Sequence, residues 1–160
     1  MKHFNRTICA LIMLLACSSS FAAGELTFER KLAAAEKGDV EAQYDTGYRY
    51  EKGRGVDGDD ELAFRWYRKA ANQGLDKAQY KVGSFFLKGQ GVDTSTADAE
   101  AWLVKAADQG YPPAQYRLGK LYASKRKRDY ALALSWLEKA RDGGYQPAIV
   151  EIRKVKKKLN

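Results

Sequence analysis

The sequence predicts an all-α fold, a solenoid of stacked antiparallel helix pairs with about eight helices. Three observations carry this. A block opening on Ala-Gln-Tyr recurs at Ala42, Ala78 and Ala114, 36 residues apart each time, and repeats of that period mark stacked arrays. Trp66 and Trp102, and Gly74 and Gly110, keep the same 36-residue offset, while Trp136 and Gly144 follow after 34, so the third unit is two residues shorter. Within the units, Ala63, Trp66, Tyr67 and Ala70 fall at spacings of three and four, one face of a helix. Only three prolines interrupt the 160 residues.

The units are assigned as 42–77, 78–113 and 114–147, flanked by a half repeat at 23–41 and a C-terminal capping helix with a basic tail at 148–160. In each unit a first helix spans roughly Glu41–Glu51, Lys77–Leu87 or Pro113–Ala123. A second spans roughly Glu61–Gln73, Ala97–Gln109 or Tyr130–Asp142. Gly74, Gly110 and Gly144 sit where a left-handed residue ends a helix. Gly47, Gly83 and Gly119 lie inside the first helices, where each costs about 1 kcal/mol relative to alanine. A close helix crossing is expected to compensate. No single unit buries its apolar face alone, so the units must stack into a continuous core.

The N-terminus reads differently. Lys2 and Arg6 precede the apolar stretch Thr7–Cys17, and the small residues Ser18–Ser20, Ala22 and Ala23 follow. This is the layout of a secretory signal peptide, residues 1–22, cut after Ala22. The alternative is a lipoprotein signal, residues 1–16, ending at Leu14-Leu15-Ala16-Cys17, with Cys17 lipidated and the protein anchored to a membrane. Either way the protein is expected to be exported, periplasmic or secreted. The only cysteines are Cys9 and Cys17 and the only histidine is His3. The exported part therefore has no thiol or imidazole for Cys–His or Ser–His catalysis and no Cys/His zinc site. No cofactor, metal or catalytic residue is assigned.

Two loop motifs are turned down. Gly53-Arg54-Gly55-Val56 and Gly89-Gln90-Gly91-Val92 lack the Gly-Lys-Ser/Thr and preceding strand of a phosphate loop, and read as tight turns. Asp57, Asp59, Asp60 and Glu61 lack the spacing of a calcium loop and suit a helix N-terminus, as do Asp93, Thr94, Ser95 and Thr96 in the next unit.

The segments Leu118-Gly119-x-Leu121-Tyr122, Lys88-Gly89-Gln90-Gly91-Val92 and Ala99…Trp102…Lys105-Ala106-Ala107-x-Gln109-Gly110 resemble the Sel-one-like repeats, a subfamily of the tetratricopeptide-type helical repeats. The resemblance covers about Phe28 to Ile152. It implies a right-handed solenoid, a non-catalytic adaptor role and a concave groove that receives other proteins. Thr46 and Arg49 replace the usual leucines, and Ser124–Arg128 replaces the glycine loop in the third unit. On the face that the resemblance turns into the groove lie Tyr44, Tyr48, Tyr80, Ser84, Tyr116 and Lys120, with Glu41, Lys77 and Glu51 beside them. These are the candidate partner-binding residues, for an envelope protein or peptide.

Charge gives a second candidate. Residues 23–113 carry a net −3 and residues 114–160 a net +9. The basic patch is Lys125, Arg126, Lys127, Arg128, Arg153, Lys154, Lys156, Lys157 and Lys158, and suits an anionic wall polymer or lipid headgroups. Nucleic acid is not expected, because export removes the chain from it. The charged tail favours a monomer. A wall hydrolase using paired carboxylates is the remaining class, but no pair stands at a recognisable spacing.

Overall fold

The computed structural model describes residues 28–124 and 127–159. The signal-peptide and lipoprotein readings, with His3, Cys9 and Cys17, lie outside the described residues, as do Lys125 and Arg126. Among the described residues eight helices follow one another: α1 (28–36), α2 (Val40–Lys52), α3 (Asp60–Asn72), α4 (Asp76–Lys88), α5 (Thr96–Asp108), α6 (Pro112–Tyr122), α7 (Tyr130–Asp142) and α8 (Pro147–Leu159). Among the described residues there is no strand. α2 to α6 each begin one residue earlier than the apolar pattern suggested, because polar first-turn residues such as Asp60 and Asp76 belong to the helices, while α7 begins at Tyr130 as expected.

Five of the starts have a local cause. Asp39, Asp59 and Asp129 precede α2, α3 and α7, accepting the amides of Ala42, Leu62 and Leu132 at 2.7, 2.9 and 3.0 Å. Ser95 precedes α5; it accepts the Asp98 amide at 3.2 Å and donates back to the Asp98 carboxylate. Of the acidic cluster only Asp59 is the capping residue, with Asp60 and Glu61 in the first turn. α6 opens on Pro112 and Pro113, which need no amide partner there. Gly74, Gly110 and Gly144 hold φ of +95°, +85° and +83° after α3, α5 and α7.

Pairs α2–α3, α4–α5 and α6–α7 pack tightly, and each stacks on the next through α3–α4, α5–α6 and α7–α8. The crossing glycines explain the pairing. A Cβ on Gly47 would lie 2.9 Å from Tyr67 Cδ1, on Gly83 2.8 Å from Leu103 Cγ, and on Gly119 2.5 Å from Leu137 Cγ. The carbonyls of Ala63, Ala99 and Ala133 press on the same points at 3.0–3.1 Å. At the equivalent position of α8 stands Arg153, so α8 does not offer the crossing that receives α3, α5 and α7.

Tryptophans tie each unit to its predecessor. Trp66 packs with Ala35 and Ala42, Trp102 on the cluster of α3 and α4, and Trp136 on that of α5 and α6. The lysine three residues on covers each ring: Lys69, Lys105 and Lys139 lie 3.8, 4.1 and 4.1 Å from the ring centroids.

A glutamine relay crosses the same interfaces. Buried Gln43, Gln79 and Gln115 donate to the carbonyls of Ala35, Ala71 and Ala107 at 3.1, 3.3 and 3.1 Å. Gln73 and Gln109 then donate to Gln43 and Gln79 Oε1, both at 2.8 Å. In the third unit Gly143 stands where that second glutamine would be, and Gln115 Oε1 is buried with no protein partner. Pro112 Cγ lies 2.8 Å from where a Gly143 Cβ would be, so no side chain fits. Gln109→Ala is expected to destabilise the protein by about 1–2 kcal/mol by stranding Gln79 Oε1. Chemical denaturation measures this; an unchanged midpoint would mean that water replaces the bond freely.

Candidate partner-binding groove

The first helices of the pairs, α2, α4 and α6, present equivalent residues on one face. Tyr44, Tyr80 and Tyr116 occupy equivalent turns there, each half-buried. They do not stand alone. Tyr44 tilts against Tyr67 at 5.3 Å between centroids, Tyr80 meets Tyr111 edge-on at 5.5 Å, and Tyr116 tilts against Tyr145 at 5.1 Å. Tyr111 and Tyr145 come from the interhelical turns, where the first unit has Leu75. The candidate set had omitted them, although the 36- and 34-residue offsets from Leu75 mark both positions. The result is three phenol pairs, one on each unit. Burial, then the nearby Tyr111, pushes the Tyr44 hydroxyl up to about 12, so it stays protonated and able to donate.

The cations of this face are mostly committed. Lys77 Nζ lies 4.5 Å over the Tyr44 ring and pairs with Glu41 at 2.6 Å. Lys120, exposed, lies 5.6 Å over Tyr116. Glu51 is the hub at the end of α2. Its Oε2 accepts from Tyr67 Oη at 2.6 Å and Lys81 Nζ at 2.7 Å, and its Oε1 accepts from Lys52 Nζ at 2.9 Å. Burial pushes the Glu51 carboxyl up, but the three hydrogen bonds together outweigh it and hold the group at about 2. The Tyr67 hydroxyl is driven strongly upward, first by burial and then by its bond to the Glu51 carboxylate.

Two of the six candidates stand apart. Ser84 is 7% exposed and its Oγ has no protein partner, so it lies in the packing beneath the face rather than on it. The physical reason is size: Tyr48 and Lys120 at the equivalent positions reach out past the helix contacts, and serine does not. Tyr48 belongs to a separate cleft with Asp45, Arg49 and Arg54, with the Arg54 guanidinium 5.3 Å from the Tyr48 ring centroid.

The basic patch is not one surface of free charge. Lys127 Nζ pairs with Glu100 at 2.7 Å and lies 5.3 Å over Tyr122, which itself donates to Glu100 at 2.6 Å. Lys154 pairs with Glu151 at 3.1 Å and Lys156 with Glu138 at 3.7 Å, while Lys158 lies 5.6 Å over Tyr130. Arg153 and Lys157 are exposed on α8. Arg128 takes a left-handed φ of 51° in the short third loop. Among the described residues no cluster of His, Cys, Asp or Glu is arranged to hold a metal, and no helix is long and apolar enough to cross a membrane.

Comparison with known proteins agrees with this architecture. The family model described as Sel1 repeat matches three times, at residues 40–75, 76–111 and 112–145. Its boundaries fall two residues before those assigned from the Ala-Gln-Tyr blocks and enclose the same helix pairs. A Sel1 repeat protein from Oxalobacter formigenes is 32% identical with a TM-score of 0.68, over 79% of this chain and 58% of that one. A protective antigen of uropathogenic Escherichia coli displaying an SLR fold is 27% identical with a TM-score of 0.72, over 86% and 33%. The immunity protein Pa5087 from Pseudomonas aeruginosa is 31% identical with a TM-score of 0.54, over 76% and 46%. The chain thus spans 58% of the first of these structures and less of the other two. Among curated proteins, none matches. Sel1 repeats generally mediate protein–protein interaction and are typically non-catalytic scaffolds. With three such repeats covering most of its length, stacked as described, the chain belongs to the Sel1 repeat family.

Proposed function

We propose that this protein is a non-catalytic scaffold of the bacterial cell envelope that holds a partner protein or extended peptide along the face of α2, α4 and α6. The observation that supports this most is the row of half-buried tyrosines, Tyr44, Tyr111, Tyr80, Tyr145 and Tyr116, running across three units. Tyrosine offers large rigid contact area with a polar tip, and suits a surface that is wet when free and dry when bound. Placement in the envelope rests on the resemblance of residues 1–22 to a signal peptide.

Affinity capture from envelope extract tests the reading. Tyr44→Ala/Tyr80→Ala/Tyr116→Ala is compared with Lys69→Ala/Lys105→Ala/Lys139→Ala, which alters the tryptophan-covering lysines on the second helices. One defined protein is expected to fall about tenfold or more in the tyrosine variant and to persist in the lysine variant. Circular dichroism establishes that both are folded. Equal recovery from both would refute the tyrosine face as the binding surface.

A second reading is a module for anionic polymer or lipid headgroups. It draws on α8, where exposed Arg153 and Lys157 share the helix with Val150 and Leu159, 54% and 52% exposed. Raising salt abolishes binding of that kind and spares a partner held by the tyrosine face.

A further inference from the structure

The first unit carries a feature the other two lack. Asp45, Tyr48, Arg49 and Arg54 bound a cleft of about 210 Å³ beside the tyrosine row, at its N-terminal end. Arg49 stands where the second and third units have Phe85 and Leu121. Phe85 is 2% exposed and packs on Tyr67 and Phe64 at 5.5 and 6.2 Å. An arginine in such a place is half-buried, and among the described residues no carboxylate lies within ion-pair distance of it or of Arg54. Partial burial of a cation without a counter-charge is unfavourable. Of the other cations along this face, Lys77 is matched by Glu41 and Lys81 by Glu51, while Lys120 lies over the Tyr116 ring. Asp45, the one acid in the cleft wall, is paired with Lys31 at 3.3 Å. The cleft is therefore net positive and its two guanidiniums are unspent.

We propose that this cleft receives a carboxylate side chain of the peptide bound in the groove, with Arg49 and Arg54 taking the charge and the Tyr48 ring supporting the adjoining methylene stem. The guanidinium fork matches a carboxylate in plane and hydrogen-bond spacing. The stacking of Arg54 on Tyr48 at 5.3 Å holds that fork in place before the ligand arrives. Size argues for one amino-acid side chain, since pockets for whole small molecules run to about 300–1,000 Å³. Asp45 argues for a monoanion, because a dianionic phosphate would lie against its carboxylate. The proposal rests on the groove reading and narrows it: the partner carries an acidic residue at the position that meets the first unit.

Fluorescence anisotropy of a fluorescein-labelled hexaglutamate amide, with hexaglutamine as control, tests it on the full chain at physiological ionic strength. Wild type is expected to prefer hexaglutamate. Arg49→Gln/Arg54→Gln is expected to weaken that binding about tenfold or more, while Arg68→Gln/Lys88→Gln, exposed cations of α3 and α4 that do not line the cleft, leaves it within about twofold. Arg49→Leu restores the apolar residue type of the third unit, so it keeps the fold while removing one guanidinium, and it too is expected to bind less. No preference for glutamate, retention of binding in both Arg49 variants, or loss in the Arg68→Gln/Lys88→Gln variant overturns the proposal. So does displacement of hexaglutamate by inorganic phosphate at lower concentration than by acetate, which would assign the cleft to phosphate. The tyrosine capture experiment reads different residues, so a failure of the cleft and a failure of the groove are distinguishable.

Discussion

Gly119→Ala is expected to lower stability by about 2–3 kcal/mol and the melting temperature by roughly ten degrees. Alanine is normally the better helix residue by about 1 kcal/mol, so intrinsic propensity predicts the opposite sign. The crossing decides. The new Cβ would lie 2.5 Å from Leu137 Cγ and 3.0 Å from the Ala133 carbonyl, and a backbone carbonyl cannot turn aside. α7 must then move off α6, opening the cluster of Ala133, Leu137, Ala140 and Ala148 that also seats α8. Because solenoid units touch only their neighbours, hydrogen exchange should accelerate in α6, α7 and α8 and stay near wild type in α2 and α3. Arg153→Gly supplies the contrast: it is expected to cost only the glycine penalty of about 1 kcal/mol, since among the described residues no helix crosses α8 at Arg153. A Gly119→Ala protein as stable as wild type would mean that the close approach carries no energy.

Glu51→Ala is expected to cost about 2–3 kcal/mol by leaving the buried Tyr67 hydroxyl and the Lys81 ammonium without their acceptor. The side chain is 9% exposed, so water reaches it poorly as a replacement. The same contact predicts a pH dependence. The carboxyl is held at about 2 against an ordinary 4.5, so the folded state releases its proton more readily than the unfolded one. The stabilisation is fully present above the unfolded value and is lost as pH falls from 4.5 toward 2. Glu100, whose carboxyl is also lowered, with burial opposing and the Lys127 and Tyr122 hydrogen bonds prevailing, adds to the effect in the same direction. Thermal melts at pH 7, 4 and 2 should therefore fall less steeply for Glu51→Gln than for wild type. Parallel curves would show that Glu51 is equally at home in the unfolded chain.

Much of this was legible in order along the chain. The recurrence of Ala42, Ala78 and Ala114 fixed the number of units, and Gly74, Gly110 and Gly144 fixed where the second helices stop. The need for a close crossing at Gly47, Gly83 and Gly119 followed from their cost within a helix, and the structure supplies the atoms that press on them. Spacing also put Tyr44, Tyr80 and Tyr116 on one face. It did not show Tyr111 and Tyr145 beside them, because those residues lie in turns, where helical periodicity carries no information.

The sequence by itself determined the period, the helix count and the family, because each depends on residues that are near neighbours or recur at a fixed offset. The tertiary structure alone decided which polar groups are free. Lys127 and Lys154 look alike in the sequence to Arg153 and Lys157, yet the first two have carboxylate partners and the second two are exposed. In the sequence Arg49 is only a departure from the usual leucine, and in the structure it stands at a cleft with Tyr48 and Arg54. Ion pairing and burial depend on which side chains from different turns arrive within a few ångströms of one another, and no local pattern encodes that distance.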